Sequence, residues 1–248
     1  MPRTIKLTLA YDGTDFAGWQ FQPGQRTLQD TLEQTLEKIT GQFSRVFASG
    51  RTDAGVHALA QVVSFETESA LSAEILQRAL NAELPHDMAA AMVEEAPSGF
   101  NARRDAKRKR YRYQICDGRV RDVFRRRCAW QVFNRLDVPA MQRATEVLVG
   151  KHDFASFETA GSERETTERT VFELMVTRMK EPDHLIEIEI EADGFLYNMV
   201  RNVVGTLVEV GQGRQRESWV AEVLAAHDRR RAGPTAPPQG LCLVRVQY

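Results

Sequence analysis

Residues 185–192, Leu-Ile-Glu-Ile-Glu-Ile-Glu-Ala, constrain the fold more than any other stretch of this chain. Ile186, Ile188 and Ile190 alternate with Glu187, Glu189 and Glu191. A period of two puts the isoleucines on one face of an extended strand and the carboxylates on the other, the pattern of a half-buried sheet strand. Residues 107–115 alternate too: Tyr111, Tyr113 and Ile115 share one face, with Arg110, Arg112 and Gln114 on the other. Ile5, Leu7, Leu9 and Tyr11 mark a third such strand, and further strands are predicted at 45–49, 60–67, 170–179 and 241–248.

Between them lie helical patterns. Thr27 caps a helix through Leu28, Leu32, Leu36 and Ile39 that stops at Gly41. Ser72 caps a second, with Ile75, Leu76, Ala79 and Leu80, ending before Pro85. Asp137 opens a third through Met141, Ala144 and Leu148, closed by Gly150. Residues 194–213 read as one long helix, followed by a shorter one around Trp219, Val223 and Leu224. Residues 229–240, rich in Pro and Gly, read as a surface loop. Both halves mix strands and helices in a loosely similar order, so two α+β subdomains are expected, 1–104 and 105–248.

Several classes of function are disfavoured at once. No apolar run reaches the roughly 20 residues a membrane span needs, and the N-terminus has no apolar signal core. Cys116, Cys128, Cys242 and five histidines are scattered without a ligand spacing, so no metal site and a reducing, cytoplasmic setting are expected. The net charge of −1 hides an asymmetry: Asn101–Arg127 holds 12 Lys or Arg against 3 Asp, +9, leaving −10 for the remainder. So polarised a chain binds an anion locally or carries a solvated basic loop.

Residues 49–57, Ser-Gly-Arg-Thr-Asp-Ala-Gly-Val-His, put Arg51, Thr52 and Asp53 between Gly50 and Gly55. This is either a structural turn or a loop whose cation keeps a carboxylate ionised as nucleophile or base. The Arg103–Tyr113 stretch offers cations for phosphates and rings for bases, unless Tyr111 and Tyr113 are core and the arginines solvated. Arg201 lies at the edge of a wide apolar helical stripe, either snorkelling to solvent or held as a cation in a cleft. His57, Trp19 and Asn101 read as structural.

Taken together these residues resemble the tRNA pseudouridine synthase A family. The segments at 11–22, 27–36, 49–58, 100–106, 110–113, 199–211 and 235–248 recur in that order in the family. "GRTDAGVHA" is highly specific for it, and the resemblance covers essentially the whole chain. It implies that Asp53 is the catalytic residue, that Tyr111 contacts the target base, and that Arg201 pairs with Asp53. Asn198 stands where some members carry histidine and is given no role, and the segment 158–169 varies. The resemblance further implies a homodimer with a basic cleft between two α+β halves, built on a continuous, largely antiparallel sheet with helices on one side. It implies conversion of uridine to pseudouridine at positions 38 to 40 of the tRNA anticodon arm, without cofactor. Arg51 and Thr52 then serve beside Asp53, and Arg103, Arg104, Lys107 and Arg108 bind tRNA phosphates. Rival readings are an RNA-binding protein without activity and a metal-independent glycosidase; the latter lacks a second acid nearby.

Overall fold

In the computed structural model, which describes residues 2–159, 161 and 166–248, the chain divides into two compact units, 1–107 with 242–248, and 108–241. Residues 160 and 162–165, the centre of the variable segment 158–169, lie outside the described residues.

The first unit begins with β1 (Arg3–Tyr11), whose alternate residues Ile5, Leu7 and Leu9 are fully buried. Helix α1 (Leu28–Thr40) starts where Thr27 accepts the Asp30 N–H and ends at Gly41, in the left-handed conformation. A short β2 (Phe47–Ala48) precedes β3 (His57–Thr67). Helix α2 (Ala73–Glu83) is capped by Ser72, and β4 (Met88–Ala96) follows. Leu32, Leu36, Leu76 and Leu80 are the fully buried faces of the two helices, as their spacing predicts; Ile75 is exposed instead.

In the second unit, β5 (Arg108–Asp117) is followed by β6 (Trp130–Val132), α3 (Val138–Thr145), β7 (Gly150–Asp153), β8 (Glu168–Arg178) and β9 (Leu185–Ala192). Helices α4 (Met199–Gly211) and α5 (Trp219–Ala226) complete it, and β10 (Leu241–Gln247) ends the chain. The C-terminal strand does not stay with its neighbours in sequence. Its residues Cys242 and Leu243 pair in parallel with His57 and Ala58 of β3, so the first unit's strands run in the order β4-β1-β3-β10. The second unit's run β5-β9-β8-β7, with β6 on β5. The fold is α+β and largely antiparallel.

The β5–β9 register explains the two alternating sequences together. Tyr111, Tyr113 and Ile115 stand opposite Ile190, Ile188 and Ile186, and Arg110, Arg112 and Gln114 opposite Glu191, Glu189 and Glu187. One face is apolar on both strands and the other is ion-paired across them. Arg110 reaches Glu191 at 3.0 Å and Glu189 at 2.9 Å, and also bonds Glu173 of β8.

Three expectations change. The helix predicted over 194–213 begins only at Met199, because Asn198 takes a left-handed φ of 59°. The helix begun at Asp137 stops at Thr145 and a single 3₁₀ turn follows, so Gly150 opens β7 rather than closing a helix. Residues 229–240 are no simple surface loop: Ala236 is fully buried, and Gly233 and Pro234 lie against Gly205 and Thr206 of α4.

Candidate active site

The loop from Ser49 to Val56 joins β2 to β3 and carries Arg51, Thr52 and Asp53. Thr52 is the buried member of the three. Its hydroxyl lies 2.8 Å from the Tyr11 hydroxyl at the end of β1, and its carbonyl accepts the Trp19 N–H at 2.9 Å. Burial pushes the Tyr11 hydroxyl well above its ordinary pKa, so it stays protonated. Gln61, fully buried on β3, accepts from the Ser49 hydroxyl at 2.6 Å and donates to the Gly50 carbonyl at 2.8 Å. Beyond Asp53, the Val56 N–H returns to the Asp53 carbonyl at 3.1 Å, with Gly55 at φ 79°. The 12–20 loop packs its own backbone against this one. A Cβ on Gly18 would come within 2.9 Å of the Thr52 carbonyl oxygen, which is why glycine precedes Trp19.

These contacts pin the chain on both sides of Asp53, whose side chain is half-buried. Such a carboxylate is held in position by its backbone and is still reachable from solvent. Arg51 is exposed and makes no ion pair among the described residues. Of the two partners open to it in the sequence, the carboxylate two residues away is therefore not taken. His57 is buried with Nδ1 accepting the Gly13 N–H at 3.1 Å, Trp19 is buried, and the Asn101 side chain accepts the N–H groups of Arg103 and Arg104.

In the second unit, Tyr111 is buried on β5 with its ring edge-on to Phe195, centroids 5.1 Å apart. Tyr113 is core: its hydroxyl donates to the Pro237 carbonyl at 2.7 Å, and burial pushes its pKa up against the pull of the Arg201 cation. Arg201 is half-buried in the first turn of α4 and does not snorkel away. Its Nε donates to the Ala236 carbonyl at 2.7 Å, and Nη1 to Asn198 Oδ1 at 2.8 Å. The Ala236 N–H in turn donates to the Arg201 carbonyl at 3.1 Å. Helix α4 and the 233–237 loop thus fix the position of the guanidinium.

A family model described as tRNA pseudouridine synthase matches residues 8–105 and 144–248. The tRNA pseudouridine synthase A of Geobacillus kaustophilus is 48% identical over 250 residues, covering 100% of this chain and 95% of that protein. That of Moorella thermoacetica is 48% identical over 246 residues, 98% of this chain and 99% of that one. The chain belongs to the tRNA pseudouridine synthase family. A crystal structure of a Cbf5–Nop10–Gar1 complex aligns with 96% of this chain and 57% of that one at 13% identity, with a TM-score of 0.35.

As a member of this family of isomerases, the chain has its basic residues unequally committed. Arg104 bonds Asp105 at 2.8 Å and the Gly99 carbonyl at 2.6 Å. Arg108 lies 3.5 Å from Glu191 and stacks 4.0 Å over the Phe172 ring. Arg103 and Lys107 are exposed with no ion pair among the described residues. Sequence reasoning assigns no role to four residues that make the contacts above: Tyr11 and Gln61 in the first unit, Asn198 and Ala236 in the second. Gln61 had a signal, a polar residue amid the apolar run of β3; the others become visible only when non-local strands and loops are brought together. One group of potential metal donors occurs among the described residues, Cys116, Asp122 and His184. Arg125 already holds the Asp122 carboxylate at 2.8 Å, with His184 Nε2 at 3.2 Å.

Proposed function

We propose that the protein isomerises uridine to pseudouridine at positions 38 to 40 of the tRNA anticodon arm, with Asp53 as nucleophile. The observation that carries this is the pinned loop. Thr52 and Val56 fix the backbone around a half-buried carboxylate, within a motif specific to a family that the chain matches over its whole length. The target base must leave its stack, at a cost of about a few kcal/mol, before it can be reached. Contacts of Arg51, Arg103 and Lys107 with phosphates offset that cost. Asp53 attacks C1′ with an oxygen lone pair, and the N1–C1′ bond breaks with its electrons leaving on uracil. The uracil turns, C5 bonds to C1′ as the Asp53 ester is released, C5 loses its proton and N1 gains one. Nothing is oxidised or reduced and no group donor is consumed, so the reaction calls for no cofactor. Tyr111 stacks on the target base or its neighbour, and Arg201 is the cation that this reading assigns to the Asp53 carboxylate. Resemblance to the family also supports a homodimer acting in the cytoplasm. No helix among the described residues is long and apolar enough to cross a membrane.

The C5 proton supplies the test. A tRNA labelled with tritium at uridine C5 should release one equivalent of label to water per turnover, with the uracil retained in the RNA. Free uracil among the products would indicate a glycosidase, and tRNA binding without release a binding protein; either result refutes the reading.

A further inference from the structure

The β5–β6 connection, residues 118–129, presents a feature the catalytic reading does not use. Phe124 is 91% exposed and Val120 84% exposed. The loop around them is tightly built. Asp122 Oδ1 accepts the N–H groups of Phe124 and Arg125 at 3.0 and 3.1 Å. Its Oδ2 takes Arg125 Nη1 and His184 Nε2. The Asp122 N–H donates to Gln131 Oε1 at 3.2 Å, and Gln131 Nε2 donates to the Gly118 carbonyl at 3.1 Å. The only acid of the loop is therefore turned inward and neutralised. Arg119 and Arg121 are exposed and have no ion pair among the described residues. A rigid loop thus holds an aromatic ring out in water among unspent cations.

We propose that this loop is a stacking platform for an unpaired base of the tRNA other than the target uridine: Phe124 meets the base, and Arg119 and Arg121 meet the flanking phosphates. This rests on tRNA being the substrate, as argued above. Ring faces stack on any base, and arginines beside them neutralise the backbone. A second copy of the chain docking here through the same patch would set arginines against arginines, which disfavours that occupant. The base is not the target. Tyr111 and Asp117, where the loop begins, are six residues apart on β5, so these two positions lie about 20 Å apart at roughly 3.3 Å per residue. The platform acts on affinity, and the chemistry proceeds elsewhere.

Phe124→Ala should weaken tRNA binding by about 5- to 150-fold, with an unchanged salt slope and an unchanged kcat at saturating tRNA. Phe124→Trp should bind like the wild type and lose fluorescence on adding tRNA, beyond the change of the wild type. Arg119→Ala with Arg121→Ala should flatten the salt slope instead. The proposal is overturned if Phe124→Ala binds tRNA normally. It is also overturned if the loss tracks a change in association state by sedimentation, which would make the patch an interface between copies. Wild-type protein that neither binds nor isomerises tRNA would fail the substrate reading itself. Normal wild-type turnover with a silent Phe124→Ala would fail the platform alone.

Discussion

Gly205→Ala should destabilise the protein, although the same change in an ordinary helix stabilises it. Glycine inside a helix costs about 1 kcal/mol relative to alanine, so propensity alone favours the substitution. Gly205, however, faces the 233–237 loop. A Cβ there would sit 1.7 Å from the Pro234 carbonyl oxygen and 2.9 Å from its carbonyl carbon. Ordinary contact begins well above 3 Å, so helix and loop must part by roughly 1.5 Å. Both sides of that contact are backbone, and no side chain can swing away to relieve it. The separation strains three hydrogen bonds: Gly233 N–H to Thr206 Oγ1 at 3.0 Å, Ala236 N–H to the Arg201 carbonyl at 3.1 Å, and Arg201 Nε to the Ala236 carbonyl at 2.7 Å. At about 0.5–1.5 kcal/mol each, less the propensity gain, the net loss is about 0.5–3.5 kcal/mol. For a chain of this size that lowers Tm by about 1–14 °C. Because the third bond orients Arg201, kcat should fall by more than tRNA affinity does. A thermal melt and a tritium-release assay on one preparation decide the matter. An unchanged or raised Tm would refute the packing reasoning, and a lowered Tm with full kcat would separate Arg201 from the chemistry.

Thr52→Val removes a buried hydroxyl from Tyr11, at about 1–3 kcal/mol of stability, and should cut turnover on the order of 10²-fold by loosening the Asp53 loop. Adding Tyr11→Phe should recover part of the stability, because no hydroxyl is then left unpaired; a double variant no more stable than Thr52→Val would show that this bond does not hold the loop. Stability should fall as pH climbs past about 10, because Tyr11 and Tyr113 are raised by burial and ionise in the unfolded chain first. Their contribution is fully present below that pH, and a flat denaturant midpoint from pH 9 to 11 would contradict it. Arg103→Ala with Lys107→Ala should flatten the salt dependence of tRNA binding by about 0.7–0.9 per contact. Arg110→Ala should lower stability and leave that slope alone, since its charge is spent on Glu173, Glu189 and Glu191.

Strict alternation in β1, β5 and β9 made those strands legible, as did the Thr27 and Ser72 caps of α1 and α2. Strand β4, Met-Ala-Ala-Ala-Met-Val-Glu-Glu-Ala, carries no alternation: it is an outer strand with small side chains, held by its pairing to β1. The three residues of β6 and four of β7 are likewise strands through their partners, which no local pattern announces. Residues 229–240 read as surface because Pro and Gly usually mark exposed turns. Here Gly205 and Gly233 instead allow two backbones to touch. At the site, the Arg-Thr-Asp loop stands out in the sequence by its residue types. Its brace does not, because Tyr11 lies 41 residues from Thr52; in the second unit, likewise, Ala236 lies 35 residues from the Arg201 it holds. The basic segment was legible as charge, but its local neutralisation by β9 required the strand register.

Asp53→Asn tests the central claim most directly, since it keeps size and shape and removes the charge and most of the nucleophilicity. Thr52 and Val56 hold the loop through groups other than the Asp53 carboxylate, so the fold should persist. With chelator present, pseudouridine formation and tRNA binding are measured on the same preparation. The account predicts binding near that of the wild type with no detectable pseudouridine; substantial turnover by Asp53→Asn would contradict it and place the essential carboxylate elsewhere.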